Sequence, residues 1–154
     1  MRAVAVSAVL ALAVAASPAL AQSVQESLEL SREVIDQQKR VIVAGSLPLS
    51  DKEADAFWPL FDEFQKELKK LDGRSDRLIA SYTAELATLT DDRARAMLDE
   101  ALSIDEDRAK LKRQWVKRMA KALPPRSLVR YFQLENKFEA IVAADLARQI
   151  PLVP

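Results

Sequence analysis

Apolar residues recur every three or four positions along most of this chain, with charged residues between them. That period predicts helices from end to end and no sheet. A first helix is expected over Ser23 to Ala44, with Val24, Leu28, Ile35 and Ile42 on one face and Gly45 suited to a left-handed position after the last turn. Leu47-Pro48-Leu49 then reads as a short connector. Ser50 followed three residues later by Glu53 is a capping box, which satisfies orphan amides and starts a second helix at Asp51.

The length of that second helix is the main structural question, because Asp72-Gly73-Arg74 could be a turn. Phe57, Phe61, Phe64, Leu68, Leu71, Ser75, Leu78, Tyr82 and Leu86 or Leu89 follow one another in steps of three and four without losing phase at Gly73. One helix from Asp51 to about Thr88 is therefore predicted, with an internal glycine costing about 1 kcal/mol. Pro59 leaves the carbonyl of Asp55 without its donor, so a bend is expected nearby.

Thr90 is a good N-cap for a third helix running to Leu123, with Asp91 and Asp92 against the positive end of its dipole. Met97, Ala101, Ile104, Leu111, Trp115 and Ala122 make one seam, and Leu98, Leu102, Ala109, Val116, Met119 and Leu123 widen it into a core-facing stripe. Pro124-Pro125 stops that helix and opens a fourth over Pro125 to Arg148, burying some of Leu128, Phe132, Phe138, Ile141, Val142 and Leu146. The apolar tail Ile150 to Pro154 cannot continue the helix and is expected to pack back on the body.

The first 21 residues change this picture. Arg2, the apolar stretch from Ala3 to Ala16 and the small-x-small Ala19-Leu20-Ala21 form a secretory signal, with cleavage expected before Gln22. The stretch is shorter than the roughly 20 residues of a spanning helix, and the chain has no cysteine for a lipid anchor. A single all-helical domain over residues 22–154, located in the periplasm, is the expectation. Of 23 Lys and Arg, Arg2 leaves with the signal, so against 23 Asp and Glu the remaining chain has a formal charge of −1. Without cysteine, stability has to come from packing alone. A second helix of such length in a small chain implies an elongated four-helix arrangement with long antiparallel helices in a bundle or coiled coil. Its seams favour a homodimer.

The absence of His and Cys excludes Ser/His and Cys/His nucleophile pairs, ordinary zinc and copper sites and common haem ligation, and no Gly-rich phosphate loop exists. Adjacent carboxylates such as Asp91/Asp92 and Asp105-Glu106-Asp107 diverge by about 100° on a helix, which suits solvated faces better than acid/base catalysis. No enzyme activity, cofactor or metal is expected.

The third helix is polarised. Asp91 to Asp107 carries seven acids against Arg93 and Arg95, whereas Arg108 to Arg130 carries nine bases and no acid. Dipole complementarity accounts for the terminal turns only. The basic run points to an acidic surface: the opposite half of a second copy, a client polypeptide or anionic lipid. Candidate partner-binding residues are Lys110, Lys112, Arg113, Lys117 and Lys121, with Trp58 and Trp115 as aromatics that either line a groove or fill the core. Arg108 lies on the apolar seam, and Glu135 is its expected partner.

The helix starts Leu49-Ser50-Asp51-Lys52-Glu53, Leu89-Thr90-Asp91-Asp92-Arg93 and Leu123-Pro124-Pro125-Arg126-Ser127 fall where the periplasmic Spy/CpxP family repeats Leu-Thr-x-x-Gln; the second keeps Leu-Thr and none keeps the Gln. With its signal peptide and four helices, the layout resembles that family. The resemblance implies a cradle-shaped antiparallel dimer that binds unfolded proteins without ATP during envelope stress. The chain is thus expected to be a chaperone-like binder of polypeptide clients, or alternatively a regulatory or structural adaptor for one specific envelope protein. Neither nucleic acid nor a stable membrane anchor is expected.

Overall fold

A computed structural model describes residues 17–153. Among them the chain forms four helices and no strand: α1 (Ser17–Ser46), α2 (Asp51–Glu85), α3 (Asp91–Met119) and α4 (Pro125–Gln149), with a 3-10 turn over Leu86–Thr88. Most of the expected signal segment lies outside the described residues; positions 17–21 belong to the first turns of α1.

Local chemistry sets most boundaries. The Ser50 side chain accepts from the Glu53 amide while the Glu53 carboxylate accepts from the Ser50 amide at 2.8 Å, which completes the capping box. Thr90 caps α3 through the Arg93 amide, and Pro125 occupies the first turn of α4, where no amide is needed. The helix α2 passes through Pro59 and Gly73 unbroken. Its 35 residues span about 52 Å, so the fold is elongated. Three expectations need correction. Leu98, Leu102 and Val116 do not face the core: α3 turns Met97, Ile104, Trp115 and Met119 inward and leaves those three exposed. Gly45 is not left-handed but lies inside α1, whose end closes with the Leu47 amide donating to the Val43 carbonyl at 3.0 Å. The third helix ends at Met119 rather than Leu123, in a tight turn whose Leu123 amide returns to the Met119 carbonyl.

Helix α2 packs along both α1 and α3, and α4 packs along α1. Arg32 with Asp76 and Arg40 with Asp62 run α1 antiparallel to α2, Arg74 with Asp107 and Arg118 with Glu63 do the same for α2 and α3, and Lys39 with Glu135 joins α1 to α4. The core lies toward the end of the bundle where the α1–α2 and α3–α4 links meet. There Tyr131 meets Phe57 edge-on at 5.1 Å, Phe64 meets Trp115 at 5.6 Å, and Val43, Leu47, Phe61, Met119 and Leu123 complete the cluster. Beyond Leu68 the apolar phase of α2 holds, but Leu71, Leu78 and Tyr82 are only half-buried. The tail folds back as expected: the Tyr82 hydroxyl donates to the Pro151 carbonyl at 2.7 Å.

Candidate functional site

Between the four helices, beyond the aromatic core, lies a cleft of about 280 Å³, walled by Ile35, Leu68, Phe138, Val142 and Leu146 and crossed by charges. Asp72 accepts from Arg32 at 3.0 Å and Arg108 at 2.9 Å, tying α1, α2 and α3 to one carboxylate. Arg108 therefore finds Asp72, not Glu135. It also lies 4.0 Å from Glu139, whose other oxygen takes Lys112.

Glu135 has a deeper role. It is fully buried, and its Oε2 accepts from Lys39 at 3.2 Å. Its Oε1 accepts from Gln65 at 2.7 Å and from the Tyr131 hydroxyl at 2.9 Å. Burial, with the Glu135 charge second, pushes the Tyr131 phenol well above its ordinary value. This network holds α1, α2 and α4 together. Its carboxylate takes three hydrogen bonds from protein and has no exposed surface, although the residue borders the cleft.

The expected partner-binding residues separate into two groups. Lys112 bonds Asn136 and Glu139, and Lys110 pairs with Glu106 and Asp107 on its own helix. Trp115 is not available to a partner: it is 1 % exposed, its indole N–H donates to Glu67 at 2.8 Å, and the Arg118 guanidinium stacks 3.8 Å above it. Trp58 is half-buried against Phe57 and Phe61, with Arg40 stacked at 4.4 Å. Arg113, Lys117 and Lys121 are exposed and have no ion-pair partner among the described residues.

A second basic row escaped sequence reading. Lys66, Lys70 and Arg77 stand on α2 at helical spacing opposite the buried Phe64 and Leu68, all exposed and without ion-pair partners among the described residues. The Arg118–Glu63 and Trp115–Glu67 contacts set α2 and α3 side by side here, so Lys117 and Lys121 flank the same row. The neighbouring acids Glu63 and Glu67 are engaged by Arg118 and Trp115, which leaves the outer face of this hairpin positive. The i, i+4, i+11 spacing of Lys66, Lys70 and Arg77 was the available signal.

Farther along the hairpin is an apolar groove of about 300 Å³, formed by Leu78, Tyr82, Met97, Leu98, Ile150 and Val153. Among the described residues no cluster of carboxylates suits a metal ion, and no helix is long and apolar enough to cross a membrane. Comparison with protein-family models, curated proteins and solved structures returned no match.

Proposed function

We propose that this chain is an exported, periplasmic, non-catalytic binding protein that holds unfolded segments of other polypeptides without ATP. The observation that carries this reading is the basic row Lys66, Lys70 and Arg77 on the outer face of the α2–α3 hairpin, without ion-pair partners among the described residues; the apolar groove lies on the inner side of the hairpin, in the phase of Phe64 and Leu68. A client with acidic residues docks on the row, and its apolar segments reach the groove by passing around the hairpin. The cations accelerate encounter, and the groove and half-buried aliphatic seam provide apolar contact. The resemblance of the layout to envelope-stress chaperones points the same way.

The test is suppression of aggregation of a reduced, unfolding model client. The triple variant Lys66→Glu/Lys70→Glu/Arg77→Glu, at exposed positions, retains its helicity by circular dichroism and loses suppression. Full activity in this folded variant overturns the proposal. Pull-down of one stoichiometric envelope protein, with no activity on model clients, replaces it with the adaptor reading.

A further inference from the structure

One side of the bundle is closed by long side chains instead of packed helices. Helix α1 packs along α2 and α4, and α2 packs along α3. Helices α3 and α4 are joined across a gap, where Lys112 and Arg108 of α3 both reach toward Glu139 of α4. The cleft of about 280 Å³ extends to this gap, because its lining includes Asp105 on α3 and Ala143 on α4, both exposed. Its volume lies at the small end for ligand pockets, which start near about 300 Å³.

Charge around the cleft is unequal: five carboxylates and three cations border it. Each cation is already matched inside the fold, Arg32 by Asp72 and Asp76, Arg108 by Asp72, and Lys39 by Glu135. The acids are not all matched. Asp105 has no ion-pair partner among the described residues. Glu139 keeps its Oε1 buried without a hydrogen-bond donor, since the Arg108 guanidinium stops 4.0 Å away. What the cleft lacks is therefore N–H donors and positive charge, and a buried acceptor left alone is costly.

We infer that this cleft binds a small organic monocation, a primary ammonium group on an aliphatic body. Asp105 and Glu139 receive the ammonium at the α3–α4 gap, and the carbon chain lies against Ile35, Leu68, Phe138, Val142 and Leu146. An anion of the same size is disfavoured, because Arg32, Arg108 or Lys39 would have to leave a carboxylate to receive it. A neutral molecule buries the same apolar surface but leaves Asp105 unmatched. A quaternary ammonium brings charge without the donor that Glu139 Oε1 lacks. The inference goes beyond the client reading and does not depend on it, because Lys66, Lys70 and Arg77 lie outside the cleft.

Titration of the isotope-labelled chain with hexylammonium, followed by amide shifts in NMR spectra, tests it. The shifts saturate as one site and centre on Val142, Ala143 and Leu146. Hexanol binds about ten-fold more weakly, having no charge to offer the carboxylates. Hexyltrimethylammonium is also weaker than hexylammonium, and hexanoate does not bind. Asp105→Asn weakens hexylammonium binding by about five-fold, and Ala143→Leu obstructs the entrance and removes saturable binding. Both positions are exposed, and circular dichroism confirms that both variants are folded. Hexanol, hexanoate or hexyltrimethylammonium binding as tightly as hexylammonium, a wild type without saturable shifts, or either variant binding like wild type overturns the inference. The Lys66→Glu/Lys70→Glu/Arg77→Glu variant still binds hexylammonium, so failure of client binding and failure of cation binding are read separately.

Discussion

Removing the cation from the buried Lys39–Glu135 pair tests whether this network holds the bundle together. Lys39 Nζ lies 3.2 Å from Glu135 Oε2, and the carboxylate has no exposed surface. At an effective dielectric constant of about 20, that separation corresponds to a gross attraction of about 5 kcal/mol. Lys39→Met preserves much of the stem that approaches Phe138 but leaves the charged carboxylate with only Gln65 and Tyr131 as partners. An uncompensated buried charge of this kind costs about 3–5 kcal/mol. With a urea dependence of about 2 kcal/mol per molar, the unfolding midpoint falls by roughly 2 M.

The second substitution distinguishes charge from packing. Glu135→Gln in the Lys39→Met background removes the stranded charge, while the amide oxygen still accepts from Tyr131. The double variant is expected to recover about 2 kcal/mol or more over Lys39→Met alone, since losing both members of a buried pair costs less than losing one. Urea unfolding monitored by circular dichroism reads both. A Lys39→Met variant within about 1 kcal/mol of wild type, or a double variant no more stable than the single one, refutes the reasoning.

Three further outcomes are expected. Gly73→Ala stabilises the protein by about 1 kcal/mol, because the residue is helical and an added Cβ meets only the Arg77 side chain at 3.5 Å; a lowered thermal midpoint contradicts this. Ser50→Ala removes the side-chain half of the capping box and costs about 1 kcal/mol by urea unfolding. Stability is level from pH 7 to pH 5 and falls in acid: the Ser50 amide holds Glu53 below its ordinary 4.5, and Arg74 holds Asp107 below its ordinary 3.8. Carboxylates with lowered folded values contribute fully above the ordinary values and lose that contribution as pH falls through the folded ones. The chain has no histidine to add a transition near pH 6, and a urea midpoint that drops between pH 7 and 5.5 sinks this account.

The helices were legible because their ends are written locally. Ser50 with Glu53, Thr90 with its following acids, and Pro124-Pro125 each act within one turn, and the phase of α2 carries through Gly73 without reference to distant residues. Gly45 misled because glycine permits a left-handed cap without requiring one. The end of α1 is set instead by Leu47, which is buried and bonds back to Val43. The partner of Arg108 was beyond sequence reasoning: the choice between Asp72 and Glu135 depends on the register of three helices. Periodicity identifies an apolar face but not what covers it, so the same pattern that buries Phe64 leaves Tyr82 half-open.

The charge split of α3 shows how structure divides a signal that looks uniform in sequence. On the side facing α2, Arg74 reaches across to Glu100 at 3.0 Å and Asp107 at 2.7 Å, so those acids are neutralised by the fold itself. Lys112 is likewise consumed by Glu139 on α4. What survives without an ion-pair partner among the described residues is smaller: Asp91, Asp92, Asp99 and Asp105 with Arg95 toward one end, and Arg113 and Lys117 toward the other. The row of Lys66, Lys70 and Arg77 on α2 keeps its charge clear of ion pairs among the described residues, which is why the proposed client contact rests on it rather than on α3. Reversing charge at Lys66, Lys70 and Arg77 therefore tests the client reading without touching the pairs that Arg74 and Lys112 make inside the fold.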